Sequence, residues 1–282
     1  MWLISLLPFR LQLWLGKSVG RLLFALFKKR RHVADRNLQL CFPEMPAQER
    51  LKLVKENFEN TGMAMFESSM AWWWSNRRID KIAHVKGSEH IEKARAEGKK
   101  ILILAPHFLH LEMACRVFGR THPGVGFYRP HNNPVIEYFQ YNGRCRSNNY
   151  MIGKRDVKGF LKALSKGELG FYLPDQDYGR NRSEFVPFFA VKETATTTGT
   201  LIFAKSKNCV TMGLKMQRLP GTQGYQVEVL PPFEDFPSDN IKADITKVNQ
   251  WVEYVVDCNK AQYMWLHRRF KTRPNPDDPS LY

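Results

Sequence analysis

From residue 100 onward, short apolar segments alternate with longer amphipathic ones, and this alternation limits the possible folds more than any other feature of the chain. The strand-like segments are 101–105, 125–128, Gly170–Leu173, Cys209–Met216 and Tyr225–Leu230. The predicted helices are 110–119, 133–145, 155–166, 193–207 and 243–259. Alternating strand and helix units build a mostly parallel central sheet flanked by helices, with the chemistry at the carboxyl ends of the strands. The sequence therefore predicts an α/β fold.

The region before residue 100 is predicted to be largely helical, and nothing in the sequence indicates a second folded domain. Pro46 opens a segment with helical periodicity that continues to three consecutive tryptophans, Trp72–Trp74. At least one of them is expected at a membrane interface or over the active cleft, unless this helix end is wedged under the sheet. Ser88 is expected to cap a short helix that runs to Glu97. Because no Pro/Gly/Ser-rich linker and no repeat interrupts the chain, residues 32–282 are predicted to form a single domain.

The first 31 residues are both basic and apolar. They contain seven Lys or Arg and no acid, interleaved with tryptophan, leucine and phenylalanine. No stretch reaches the roughly 18 uncharged apolar residues of a membrane span. This composition is typical of a helix lying in the interface of an anionic bilayer, and a core helix with an apolar stripe is the alternative. A signal peptide is not expected, because no small-residue cleavage site follows the apolar run. We predict an amphipathic membrane-associating segment over residues 1–31.

The overall charge indicates an anionic partner. The chain carries 43 Lys and Arg against 27 Asp and Glu, a formal net charge of +16. Nucleic acid, an anionic membrane and an acidic carrier protein are the candidate partners. No nucleic-acid binding is predicted, because the aromatic residues occur in membrane-like and core-like runs. The five scattered cysteines lack a CxxC pair, which argues against a disulfide framework and for a reducing compartment.

A histidine and a carboxylate follow the apolar segment 101–105. Pro106 favours a turn there, and His107 and Glu112 lie five positions apart. A neutral imidazole can take a proton from a hydroxyl near neutral pH, and a carboxylate can orient it. On one continuous helix, five residues turn by about 500°, which leaves the two side chains roughly 140° apart. The pair can therefore meet only if His107 lies in the turn and Glu112 in the following helix. A purely structural role for an isolated HxxxxE remains the simpler interpretation.

Further polar residues lie in the loops after other predicted strands. Arg129 and Asn133 follow one strand, and Pro134 is well placed as the first residue of a helix. Asp175 and Gln176 follow another strand. Arginines in such loops can form bidentate pairs with phosphate or carboxylate, although a solvated loop charge is the usual role of a single Arg.

A metal-dependent hydrolase is the alternative chemistry. His107, His110 and Glu112, with Asp175 and Asp177, could in principle assemble a metal site, but HxxH near a single Glu is a weak signature. The sequence contains no GxSxG, GxGxxG or GxxxxGK[ST] motif. We therefore predict neither a metal nor a cofactor.

Six motifs in order along the chain carry a resemblance to a known family. They are HFLHLE, YRPHNNP, GRCRSN, PDQDYG, FVPFFAVKETATTTGT and YMWLHRRFKTRP. Together with RNLQLCFPE at residues 36–44, they resemble the lipid A biosynthesis acyltransferases of Gram-negative bacteria, and most closely the lauroyl/palmitoleoyl branch. Members of that family usually begin with a longer hydrophobic anchor in the inner membrane. The present sequence departs from this pattern, so the resemblance does not specify how the protein attaches.

The resemblance implies a glycerol-phosphate acyltransferase-like α/β fold with the HxxxxE pair beside an acyl-chain groove. It makes His107 the catalytic base and Glu112 its partner, and it places Arg144 and Asp175 at the family's further active-site positions. Arg144 is also our candidate for the oxyanion stabiliser. We expect substrate-binding contacts from six residues: Arg129, Asn133, Arg146, Gln176, Arg268 and Arg269.

The implied activity is transfer of a fatty acyl chain from acyl carrier protein to a hydroxyl of a Kdo-lipid A precursor, which forms an acyloxyacyl ester. The implied partners are acyl carrier protein, the Kdo-lipid A precursor and the anionic lipids of the inner membrane. The implied location is the cytoplasmic face of the cell inner membrane.

Overall fold

A seven-stranded sheet forms the centre of the protein, and two further strands form a separate hairpin. The computed structural model describes residues 1–282. The strands are β1 (Ala83–Lys86), β2 (Lys100–Leu104), β3 (Val125–Tyr128), β4 (Tyr150–Gly153), β5 (Gly170–Tyr172), β6 (Ser183–Phe188), β7 (Val191–Thr197), β8 (Cys209–Arg218) and β9 (Tyr225–Pro232). The strand order in the main sheet is β1-β9-β8-β2-β5-β3-β4. Every neighbouring pair in this sheet is parallel except β8–β9. The prediction of a mostly parallel α/β sheet is confirmed.

Helices connect these strands and cover both faces of the sheet. They are α1 (Trp2–Ser5), α2 (Phe9–Leu26), α3 (Lys28–Cys41), α4 (Ala47–Trp73), α5 (Asn76–Asp80), α6 (Ser88–Ala96), α7 (Leu111–Gly119), α8 (Pro134–Cys145), α9 (Val157–Ser165), α10 (Gly199–Ala204) and α11 (Ile241–Asp257). Short 3₁₀ turns occur at Arg180–Arg182 and Lys260–Gln262. Residues 101–104 of β2 are all buried, as expected of a central parallel strand with both faces covered.

The helix predicted over 193–207 is wrong in its first half. Residues up to Thr197 belong to β7, which pairs antiparallel with β6, and the helix begins only at Gly199. The run TATTT is rich in β-branched residues, which pack well on a pleated surface and disfavour a helix. The predicted Ser88 cap is also wrong, because the N-cap residue is Gly87 and the Ser88 hydroxyl instead lies 2.8 Å from His122 Nε2.

The N-terminal helix α2 packs closely against α4. A Cβ atom on Gly20 would lie 2.3 Å from the carbonyl oxygen of Phe58, and one on Gly62 would lie 2.1 Å from that of Gly16. Glycine at these positions therefore lets the two backbones touch. The opposite side of α2 exposes large apolar residues, including Trp14 and Leu22. None of the helices combines the length and the apolar character that crossing a bilayer requires.

A buried ion pair joins helix α4 to the end of strand β8. Arg218 and Glu67 form a two-point salt bridge, with Arg218 Nη2 at 2.7 Å from Glu67 Oε2, and the Tyr225 hydroxyl donates to Glu67 Oε1 at 2.5 Å. Gln262 accepts from the backbone N–H of Arg218 and donates to its carbonyl oxygen. Burial acts to lower the pKa of Arg218, but Glu67 outweighs this and raises it. The pair thus ties α4, β8 and the segment around Gln262 together.

Replacing Arg218 by Met should lower the free energy of unfolding by about 3–5 kcal/mol, because it leaves the Glu67 carboxylate buried without its partner. Denaturant unfolding measures this loss. The exposed pair Arg120–Asp80 provides the control, since Arg120→Met should cost only about 0–1 kcal/mol. Equal losses in the two variants would show that the buried pair does not stabilise this region.

Candidate active site

The carboxyl edge of three adjacent parallel strands brings four of the predicted residues to one side of the sheet. His107 follows β2, Asp175 follows β5, and Arg144 lies at the end of α8, the helix after β3. Glu112 lies in the first turn of α7, directly after the loop that carries His107. The sheet order β2-β5-β3 makes these three strands neighbours, so their carboxyl ends open onto the same cleft.

His107 is held by both oxygens of one buried carboxylate. Its ring Nδ1 lies 2.6 Å from Asp175 Oδ1, and its backbone N–H donates to Asp175 Oδ2 at 2.8 Å. The Asp175 side chain is only 1% exposed, whereas that of His107 is 18% exposed. With Nδ1 committed to the carboxylate, Nε2 is the ring nitrogen available for a proton of a bound hydroxyl.

The environment of Asp175 favours its ionised form. Burial alone raises the pKa of this carboxyl, but the charge and hydrogen bonds of His107 outweigh burial and, with the nearby Tyr263 hydroxyl, bring the pKa below its ordinary value. An ionised carboxylate at this position fixes the ring tautomer and stabilises the imidazolium once it has formed.

The C-terminal segment holds the His107 loop in place. The backbone N–H of Met264 donates to the carbonyl oxygen of His107 at 3.1 Å, and Leu109 donates to that of Gln262 at 2.8 Å. Asn57 on α4 in turn donates to the carbonyl oxygen of Tyr263 at 2.7 Å. Helix α4, the C-terminal segment and the His107 loop therefore form one connected support.

A second, half-buried pair forms between Glu112 and Arg144. Arg144 Nη2 donates to Glu112 Oε1 at 2.5 Å and its Nε to Oε2 at 3.2 Å, while the indole Nε1 of Trp72 donates to Oε2 at 3.0 Å. Burial acts to raise the pKa of Glu112, but Arg144 and Trp72 together lower it. Glu112 is therefore an ionised carboxylate that holds the planar guanidinium of Arg144, which also lies over the ring of Tyr128.

The predicted pairing of His107 with Glu112 needs correction. His107 does lie in the turn and Glu112 in the following helix, as the spacing required. The carboxylate that orients His107 is nevertheless Asp175, because Glu112 is held by Arg144 and Trp72. Parallel pairing of β2 with β5 brings Asp175 to His107 across 68 residues of sequence.

Two of the residues expected to bind substrate have structural contacts instead. The side-chain oxygen of Asn133 accepts from the N–H groups of Val135 and Ile136 and caps α8. Arg269 is buried, and its guanidinium donates to the carbonyl oxygen of Ala195 and to the hydroxyl of Thr196. Both side chains satisfy polar backbone or hydroxyl groups that the fold would otherwise leave without partners.

For the other four residues expected to bind substrate, that role stays a prediction. Arg129 is exposed, Arg146 donates to the carbonyl oxygen of Trp72, and Arg268 lies over the ring of Tyr282. Gln176 directly follows Asp175, with its amide 3.9 Å from the sulfur of Met264.

The residues proposed for the metal-dependent alternative do not converge. His110 is buried beside the rings of Phe108 and Tyr225, and burial lowers its pKa well below the ordinary value. Glu112 is paired with Arg144. The structure brings together no group of three or more His, Cys, Asp or Glu side chains suited to a metal ion. The hydrolase alternative is therefore unsupported.

Two residues at the site went unassigned in the sequence. Trp72 is one of the three adjacent tryptophans, and its indole N–H donates to Glu112. This tryptophan therefore lies at the candidate active site. Tyr263 lies beside Asp175 and contributes to its pKa shift. The tryptophan run and the YMWLHRRF motif were the available signals, but neither specifies a contact.

Comparison with known proteins gives full-length matches. The family model for bacterial lipid A biosynthesis acyltransferases matches residues 1–272. The lipid A biosynthesis lauroyltransferase of Escherichia coli K12 is 45% identical over 282 residues, covering 100% of this chain and 92% of that protein. The palmitoleoyltransferase of the same strain is 39% identical with the same coverage. A solved structure, the 1-acyl-sn-glycerophosphate acyltransferase PlsC from Thermotoga maritima, aligns with a TM-score of 0.43 and 15% identity, covering 89% of this chain and 97% of that one. The resemblance inferred from the motifs is confirmed.

Proposed function

Because the chain belongs to the bacterial lipid A biosynthesis acyltransferase family, we propose that it transfers a fatty acyl chain from the thioester of acyl carrier protein to a hydroxyl of a Kdo-lipid A precursor. The acceptor is the hydroxyl of a 3-hydroxyacyl chain, and the product is an acyloxyacyl ester. The His107–Asp175 pair is the observation that carries this proposal, since it provides a positioned base for a hydroxyl.

In the proposed reaction, His107 acts through its Nε2 atom. Nε2 takes the proton of the acceptor hydroxyl while the oxygen forms a bond to the thioester carbonyl carbon. The carbon–sulfur bond then breaks, and the imidazolium returns the proton to the departing thiolate of the carrier. Asp175 keeps Nδ1 protonated throughout and balances the positive charge of the ring. The acyl group passes directly to the acceptor without an acyl-enzyme.

Arg144 is proposed to supply the positive charge beside the reacting carbonyl. Its Nε and Nη2 donors are occupied by Glu112, which fixes the plane of the guanidinium before substrate binds. A preorganised cation stabilises the developing oxyanion without having to reorient during the reaction. Glu112 thus acts through Arg144, as a positioning residue.

Residues 1–31 are proposed to hold the enzyme on the cytoplasmic face of the inner membrane. Trp2, Leu3 and Leu6 are exposed at the start of the chain, and Trp14 and Leu22 on α2 are exposed as well. Exposed apolar residues among seven basic ones suit the surface of an anionic bilayer. All five cysteines are free, which suits a reducing compartment.

The function is tested by combining the purified protein with acyl carrier protein loaded with C12, C14 or C16 chains and a tetra-acylated Kdo-lipid A precursor. Mass spectrometry should show a product heavier by one acyl group, placed on a 3-hydroxyacyl chain by fragmentation. No product with any carrier-bound chain, but transfer from an acyl-coenzyme A, would contradict the proposed donor.

The role of Glu112 is tested by Glu112→Gln. We expect kcat to fall by about 10- to 100-fold with little change in the acceptor KM, because the neutral amide holds Arg144 less firmly. Arg144→Lys keeps the charge but loses the planar two-point contact, and should give a similar loss. Steady-state kinetics with varied acceptor measure both. A large rise in acceptor KM with kcat preserved would instead assign the pair to acceptor binding.

A further inference from the structure

Helix α8 presents a large apolar surface to solvent. Five of its residues are exposed large hydrophobic or aromatic side chains: Val135, Ile136, Tyr138, Phe139 and Tyr141. Single exposed apolar residues are normal on a soluble surface, but five on one helix of 12 residues form a contiguous patch. We call these five residues the α8 patch.

The centre of the α8 patch lies opposite Arg144 on the helix. Val135, Tyr138 and Phe139 are about 120–180° from Arg144 around the helix axis, and Ile136 and Tyr141, about 60–80° from it, form the edges of the patch. Glu137 also points inward, because its carboxylate accepts from the hydroxyl of Tyr128 and from the backbone N–H of His131. The inner side of α8 therefore carries the polar contacts of the site, and its outer side carries Val135, Tyr138 and Phe139 of the patch.

The patch lies close to the apolar N-terminus of the chain. The rings of Phe139 and Trp73 are 5.5 Å apart, and Trp73 is the last residue of α4. The neighbouring Trp74 donates its indole N–H to the carbonyl oxygen of Ser5 on α1 at 2.7 Å. The exposed apolar residues of α1 and the α8 patch thus flank the same end of α4.

The charges around the patch are positive. Arg129 and Arg146 are exposed next to α8, and Arg129 has no ion-pair partner. The single acid of the helix, Glu137, is bound on the inner side. Exposed tyrosines beside aliphatic residues and arginines are typical of a surface that rests at the headgroup level of an anionic membrane.

We propose that the α8 patch is a second membrane-contact surface, which inserts into an anionic bilayer together with the N-terminal residues. This inference rests on the proposed function in one respect, that the acceptor is embedded in a membrane. Contact at α8 brings the bilayer to the helix whose other face carries Arg144, so the acceptor reaches the cleft without leaving the lipid surface.

The test compares two double variants of the patch with one matched control elsewhere on the surface. Val135→Glu/Tyr138→Glu places two charges in the patch, at exposed positions of α8. Ile202→Glu/Tyr254→Glu, the control, replaces an exposed aliphatic residue and an exposed tyrosine on α10 and α11. Val135→Ser/Tyr138→Ser removes apolar area without adding charge. Thermal unfolding checks that all three retain the fold.

Flotation with vesicles of phosphatidylethanolamine and phosphatidylglycerol measures membrane binding directly and needs no turnover. We expect both patch variants to bind about tenfold or more weakly than the unmodified chain, because apolar area no longer enters the bilayer. The α10/α11 variant should bind normally. Acyl transfer to vesicle-embedded acceptor should fall with binding, while transfer to detergent-dispersed acceptor should stay within about twofold.

Three results would overturn the proposal. Unchanged flotation of both patch variants would show that α8 does not touch the bilayer. An equal loss of activity on detergent-dispersed acceptor would assign the patch to substrate or carrier binding. A lipid-free dimer of the unmodified chain that the patch variants dissociate, as measured by sedimentation, would assign the patch to a second copy of the chain. If the unmodified chain floats but shows no acyl transfer, the proposed function fails while the membrane contact stands.

Discussion

Replacing His107 by alanine is expected to lower kcat by about 10²–10⁴-fold while leaving the fold intact, because positioned base catalysis contributes a factor of that size. The side chain is partly exposed at the cleft, and its removal leaves no core cavity. The backbone contacts of residue 107 with Asp175 and Met264 do not depend on the ring. The rate is measured with acyl carrier protein as donor and the lipid precursor as acceptor.

His84→Ala is the matched control for this variant. His84 is an exposed histidine on β1 whose ring forms a hydrogen bond with the carbonyl oxygen of Gln223, so its loss should leave the rate unchanged. A His107→Ala enzyme that works within a few-fold of the unmodified chain would mean that another group removes the proton.

Asp175→Asn is expected to reduce kcat by about 10³–10⁴-fold with a small effect on the acceptor KM. The amide has nearly the same shape as the carboxylate, but it can present its NH₂ group to Nδ1 and favour the wrong ring tautomer. It also no longer balances the imidazolium charge. Rates at saturating acceptor measure the loss.

Asp177→Asn is the control for the Asp175 variant. Asp177 is also buried in the same loop, but its carboxylate binds Gly179 and Thr272, away from the His107 ring. This variant should lose stability and keep most of its turnover. If Asp177→Asn reduced kcat as much as Asp175→Asn, the loss would reflect the loop rather than the proton transfer.

The main strands of the sheet could be predicted because their signal is local. Residues 101–105 and 125–128 read as apolar runs in the sequence and form β2 and β3. Strands β1 and β4 are four-residue strands at the two edges of the sheet, and neither was predicted. β1 reads AHVK, with polar residues between the apolar ones, whereas β4 reads YMIG and is as apolar as β3. The hairpin β6–β7 was missed because its threonine-rich second strand was assigned to the following helix.

The structure brings four of the predicted site residues together, His107, Glu112, Arg144 and Asp175, but with a different pairing from the one predicted. The spacing of His107 and Glu112 correctly indicated a turn followed by a helix. It could not show which carboxylate would reach the imidazole, because Asp175 arrives through the non-local pairing of β2 with β5. The Arg144 contact to Glu112 likewise depends on how α8 packs beside α7.

The most direct test of the central claim is the turnover of the double variant His107→Ala/Asp175→Asn. If Asp175 acts only through His107, adding Asp175→Asn to His107→Ala should cause no further loss, so that the two effects are strongly non-additive. Glu112→Gln added to His107→Ala should still reduce the rate by about the factor it causes alone. The account would be contradicted if the His107 and Asp175 losses were fully additive while the His107 and Glu112 losses were not. That result would restore Glu112 as the partner of the base.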